Sequence, residues 1–124
     1  MKNAETRLTQ NPALLAVGAR PDVLVWRQQS GLMRAYDNPD RIIRVGLPGM
    51  SDAGMIVAVT ITPDMVGKTV GVACQPEFKT AKGAQAVKQK NWQQAVEQRG
   101  GVYQLVRSAA DMLALVDRVQ HGRW

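Results

Sequence analysis

A carboxylate and an ammonium stand two residues apart at Glu77 and Lys79, with Phe78 between them, in the run PEFKTAKG (76–83). On an extended strand, side chains at i and i+2 share a face, so the acid and the base project together while Phe78 turns to the other side. Burying such a pair for stability alone gains little, because desolvation offsets most of the attraction. A site for a hard divalent cation and a phosphate uses both signs: the carboxylate supplies oxygen to the metal, and the ammonium offsets negative charge at the attacked phosphorus or orients the attacking water. Magnesium wants a second acid. Asp52 is the candidate, in the glycine-bounded loop Gly49-Met50-Ser51-Asp52-Ala53-Gly54 ahead of the apolar run MIVAVTI (55–61). If the two strands are neighbours, Asp52 and Glu77 converge on one ion, with the Phe78 carbonyl as a third oxygen. The triplet E-x-K by itself is common, and an aspartate in a glycine-rich loop is also an ordinary turn residue.

The elements that must hold these residues follow from periodicity and punctuation. Residues 4–19 read as helical in two pieces, with Asn11 as an N-cap and Pro12 in the first helical position of the second. Then come β-type runs at 22–27, 32–36 and 41–45, the last two separated by Asn38-Pro39-Asp40, which predicts a hairpin. Thr62-Pro63-Asp64 signals one helical turn, and Thr69–Cys74 a strand leading into Glu77. Residues 84–99 are helical in pattern, with Ala84, Val87, Trp92, Ala95 and Val96 on one face, and Gly100-Gly101 ends them. Val102–Val106 reads as a short strand. Ser108-Ala109-Ala110-Asp111 has capping-box spacing ahead of a last helix whose apolar face is Met112, Leu113, Leu115, Val116 and Val119. The order is that of an α/β domain, a central mixed β-sheet flanked by helices.

The length of 124 residues points to a single domain spanning 1–124. No stretch approaches a membrane span of roughly 20 apolar residues, and MKNAETRLTQ carries no signal-peptide core. Cys74, the one cysteine, has no internal disulfide partner, which suits a reducing, cytoplasmic setting. The net charge is +6, and from Lys79 to Arg107 six basic residues face Glu97 as the single acid. A stripe of that kind attracts polyanions, nucleic acid first among them, and is also what a solvated helix face looks like. His121, the only histidine, makes no zinc site alone.

Gly46-Leu47-Pro48-Gly49-Met50-Ser51-Asp52, the following apolar strand, Glu77-Phe78-Lys79, Gly83, and Gln89 ahead of Trp92 together resemble the VRR-NUC family, the virus-type replication–repair nucleases of the PD-(D/E)xK superfamily. That pattern is G-x-x-D, then E-x-K, then a glutamine opening the next helix. Trp26-Arg27-Gln28-Gln29-Ser30-Gly31 looks like its arginine–polar–glycine segment, and Glu5 stands where an acid of the first helix is expected. The resemblance runs from about Glu5 to Ser108. It implies a restriction-endonuclease-like core and a Mg²⁺- or Mn²⁺-dependent nuclease. Asp52, Glu77 and the Phe78 carbonyl would bind metal, Lys79 would be the catalytic lysine, Gln89 would support the site, and Glu5 would act at a distance through water. The residues themselves put Gln89, Trp92 and Val96 on one helical stripe, so the amide can look toward the sheet. Lys82, Lys88 and Lys90 are candidate phosphate contacts, with Arg27, Arg44 and Arg107 as further ones. Stand-alone members look like homodimers that cut branched DNA such as four-way junctions, so DNA and a second copy are the implied partners. One departure is Pro76: it removes a backbone donor directly before Glu77, which predicts an edge or a bulge there. Two other classes fit the residues: a nucleic-acid-binding module without turnover, and an enzyme using Lys79 as a Schiff-base amine.

Overall fold

The computed structural model describes residues 2–124, and its backbone divides into two units, one ending at Met55 and the other running Ile56–Trp124. The elements are of mixed α/β type. The first unit opens with α1 (Lys2–Glu5), a π-helical turn (Thr6–Gln10) and α2 (Asn11–Gly18). Asn11 is not a cap: its φ of −60° and ψ of −48° are helical, and its N–H donates to the Thr6 carbonyl five residues back. Pro12 explains the widening. Its ring crowds the carbonyl four residues earlier and its nitrogen donates nothing, so the chain passes through a π-turn and continues rather than starting a new helix.

β1 (Val23–Arg27) packs on α2. β2 (Gly31–Arg34) and β3 (Ile42–Val45) form the expected hairpin, antiparallel, with Leu32 opposite Arg44 and Arg34 opposite Ile42. Its turn is held by Asn38, whose Oδ1 accepts from the Asp40 N–H at 3.1 Å while its carbonyl accepts from Arg41 at 2.9 Å. This is the asparagine turn chemistry read from Asn38-Pro39-Asp40. β4 (Ala53–Val57) pairs with β1 and runs through the division between the units. It is shorter than the apolar run 55–61. Ile56 is buried, but Val59 and Ile61 beyond its end are exposed.

In the second unit a 3-10 turn (Pro63–Met65) follows Thr62, which provides no side-chain cap. The strand expected over 69–74 is displaced: β5 is Cys74–Phe78, parallel to β6 (Val102–Val106), with Cys74 opposite Val102 and Phe78 opposite Val106. Apolar alternation at Val70 and Val72 does not make a strand, because the five residues of β6 supply the backbone partners and they begin at Cys74. α3 (Val87–Gln98) and α4 (Ala109–Gln120) both pack on β6. α3 ends in a Schellman motif, with the Gly101 N–H on the Val96 carbonyl (3.0 Å), the Gly100 N–H on that of Glu97 (3.1 Å), and Gly100 at φ +82°. Ser108 caps α4, its Oγ accepting from the Asp111 N–H at 3.1 Å, while Asp111 Oδ2 accepts from the Arg107 N–H at 2.9 Å. The inward stripes are narrower than the sequence suggests: Val96 and Leu115 are buried, but Val87 at the tip of α3 and Leu113 and Val116 on α4 are exposed. The strands pair two by two, and among the described residues no pairing joins the three sheets into one. Nor is any helix among them long and apolar enough to cross a membrane.

Candidate active site

The pairing of β5 with β6 decides what the E-x-K triplet can do. The Lys79 N–H donates to the Val106 carbonyl at 3.1 Å, and the Ala73 carbonyl accepts from Val102 at 2.8 Å. In a parallel ladder the N–H and C=O of one residue point the same way and alternate along the strand. The odd-numbered residues of β5 therefore turn their backbone groups to β6, and the even-numbered ones turn theirs away. Pro76 is even, so the donor it lacks is one the ladder does not use; the edge position expected for this proline is what is observed. Phe78 is even too, which leaves its carbonyl outside the ladder.

Glu77 and Lys79 share the face of β5 opposite Phe78, and both are half-buried while Phe78 is exposed. They form no salt bridge with each other or with any other described residue. Glu77 accepts one hydrogen bond, from the Tyr103 hydroxyl to Oε1 at 3.2 Å. The Tyr103 ring is buried, and burial pushes its hydroxyl pKa up, the Gln85 amide opposing the rise and the charge of Glu77 adding to it. The hydroxyl thus stays a donor toward the carboxylate. The stem of Lys79 lies over Gly83, where an added Cβ would meet Lys79 Cβ and Cδ at 3.4 Å.

Arg107, a candidate phosphate contact by sequence, is otherwise engaged. Its Nη1 donates to the carbonyls of Thr80 (2.6 Å) and Gly83 (2.8 Å), with that of Ala81 at 3.4 Å, so it clasps the loop that follows Lys79. Gln89 is committed as well: its Oε1 accepts from the Ala86 N–H at 2.9 Å, closing the N-terminus of α3 as a glutamine at the third helical position does in a capping box. Lys82, Lys88 and Lys90 are exposed, on the clasped loop and the first turn of α3.

In the first unit, Gly46 (φ +67°) and Gly49 (φ +78°) bracket a turn in which the Met50 N–H donates to the Leu47 carbonyl at 3.0 Å. Pro48 followed by a positive-φ glycine is the type II arrangement. That turn delivers Ser51 and Asp52 to the start of β4. Gln28 holds them: its N–H donates to the Asp52 carbonyl (3.0 Å) and its Nε2 to Ser51 Oγ (3.1 Å). Asp52, exposed, lines a cleft of about 460 Å³ together with Glu5, Gln10, Arg27, Gln28 and Ser51. The two acids singled out in this unit thus share one cleft. Gln10 Nε2 approaches Glu5 Oε1 at 3.4 Å, and the Arg27 guanidinium donates to Asn11 Oδ1. Arg44 is exposed on β3.

Among the described residues no three of His, Cys, Asp and Glu gather into a metal-ligand group. Magnesium does not need three, because it keeps several waters and takes one or two carboxylates together with phosphate oxygens. The strand that follows Asp52 and the strand that carries Glu77 are not paired, β4 pairing with β1 and β5 with β6, so Glu77 with the Phe78 carbonyl is one carboxylate short of the pair expected from the sequence. Tyr103 is the member that sequence reading misses. It lies on a recognised strand, but its pairing with the carboxylate depends on the β5–β6 register. Comparison with protein-family profiles, with curated proteins and with solved structures finds no match to this chain.

Proposed function

We propose that this protein is a metal-dependent DNA endonuclease of restriction-endonuclease-like type that hydrolyses phosphodiester bonds, acting as a homodimer on branched DNA such as four-way junctions, in the cytoplasm. The observation that carries the reading is at the C-terminal end of β5: Glu77 and Lys79 on one face, unbridged, with the Phe78 carbonyl outside the ladder. The carboxyl ends of parallel strands are where α/β sheets receive ligands. Glu77 and the Phe78 carbonyl are the oxygens of this unit that would hold Mg²⁺ or Mn²⁺. Asp52 and, through water, Glu5 are the acids that the resemblance to VRR-NUC nucleases assigns to metal binding in the first. The ion, when bound, polarises the phosphate and lowers the pKa of the attacking water. Lys79 offsets the charge that grows on the non-bridging oxygens during in-line attack, and no covalent intermediate is required. Lys82, Lys88, Lys90 and Arg44 hold the DNA backbone, so binding weakens steeply with salt. Phosphate contacts position a protein without reading bases, which favours a DNA shape over a sequence as the target.

The test sets wild type against Glu77→Ala, Asp52→Ala and Lys79→Ala on junction, flap, single-stranded and linear duplex DNA in Mg²⁺ or Mn²⁺. Cleavage of the branched substrates by wild type alone is expected. DNA that is shifted on a gel yet left intact in both metals identifies a non-catalytic nucleic-acid-binding module instead. Light scattering that finds only monomer at micromolar protein removes the paired-cut arrangement.

A further inference from the structure

Phe78 is 67% exposed, on the face of β5 opposite Glu77 and Lys79. It lines a shallow groove of about 620 Å³ in the second unit, whose apolar lining continues through Val106 on β6 and Met112 and Leu113 on α4. α4 packs on β6, and Phe78 on the neighbouring strand is left uncovered. The charged residues along the groove, Lys79 and Arg107, are both cationic. Arg107 also holds the loop that carries Lys82 beside them, through the Thr80 and Gly83 carbonyls. An apolar floor with a cationic rim suits an occupant that has a flat apolar face and negative charge. A second copy docked through this face about a two-fold axis would set the same cations against each other, which disfavours it. The positive charge also continues past the groove, six basic residues against one acid from Lys79 to Arg107. A charge spread over that length matches a row of phosphates better than a short acidic peptide.

We propose that Phe78 and the groove beside it form a seat for an unpaired nucleobase, the ring stacking on the base while the cations of the rim meet the adjoining phosphates. This rests on the reading of DNA as the substrate above and needs no metal. Bases of a linear duplex are held in the stack, whereas those of a single strand or an open branch point are free to leave it, so the seat favours the latter over linear duplex. Stacking of a base on an aromatic side chain is worth about 5- to 150-fold in affinity. No second aromatic residue lines the groove among the described residues, which places Phe78 at the lower end, about fivefold.

The experiment measures binding of the whole chain to a labelled single-stranded thymidine oligonucleotide and to a linear duplex, by fluorescence anisotropy in EDTA so that cleavage does not intervene. Thermal melting of each variant runs alongside. Phe78→Ala and Phe78→Leu are expected to weaken single-strand binding about fivefold, and Phe78→Trp to keep it, since tryptophan offers a stacking face and leucine does not. Duplex affinity and the salt slope should stay at wild-type values in all three, because no charge is removed. With 5-iodouracil in place of one thymine, long-wavelength ultraviolet light should crosslink the strand to Phe78, as mapped by mass spectrometry. The side chain is exposed, so melting midpoints close to wild type are expected; if Phe78→Ala does not fold, Phe78→Leu carries the test. Single-strand binding by Phe78→Ala or Phe78→Leu equal to wild type, or a crosslink that maps away from the groove, overturns the base seat and leaves DNA binding standing. If Phe78→Ala instead takes a homodimer apart in light scattering with DNA affinity unmoved, the groove belongs to a second copy. Wild type that binds neither DNA at low salt overturns the DNA reading itself.

Discussion

Removing the Arg107 guanidinium should loosen the loop that follows Lys79. Nη1 meets the Thr80 and Gly83 carbonyls at 2.6 and 2.8 Å, and the third carbonyl, Ala81 at 3.4 Å, is too far to add much. Hydrogen bonds from a charged donor are worth about 1.5–3 kcal/mol each when protected. Arg107 is exposed, so water competes for its donors, and the two short bonds together come to about 2 kcal/mol. Arg107→Ala is therefore expected to lower stability by about 2 kcal/mol, roughly 6–10 °C in melting midpoint for a chain of this size. The amides that follow the clasped carbonyls should exchange faster with deuterium while those of α4 keep their protection. Thermal melting and hydrogen exchange by mass spectrometry measure both. A change under about 0.5 kcal/mol with unaltered exchange around 80–84 would mean the guanidinium is solvated, like an ordinary surface arginine, and would refute the clasp. The variant also separates two roles for this residue: a phosphate contact lowers the salt slope of DNA binding by about one while leaving stability alone.

Gly101→Ala should cost about 1–3 kcal/mol, because a Cβ there would meet Val96 Cγ1 at 2.8 Å and the Val96 carbonyl at 3.2 Å; a urea midpoint equal to wild type would contradict it. Burial pushes the Cys74 thiol pKa up, with Arg118 opposing in part, so the folded chain keeps the thiol proton longer than the unfolded chain does. Alkylation by iodoacetamide at pH 8 should then be slower in the native protein than in urea, and stability should fall as pH rises above the unfolded thiol's value. Equal alkylation rates in the two states would count against it.

Local chemistry in the sequence determined a good part of this protein. The Asn38 turn of the hairpin, the glycine stop of α3 and the Ser108 cap of α4 stand where the residues put them, since each is made by side chains and backbone groups within a few positions of one another. The displacement of β5 to Cys74–Phe78, the outward carbonyl of Phe78 and the Tyr103–Glu77 bond were decided by the tertiary structure, because all three follow from the register between two strands some 26 residues apart. Competition settled the rest. Arg107 and Gln89 have the chemistry to meet phosphate or an active site, and backbone carbonyls and a helix terminus claim them first. Residue type gives a side chain's capacity to bond; only the folded chain sets which of the partners within reach it takes.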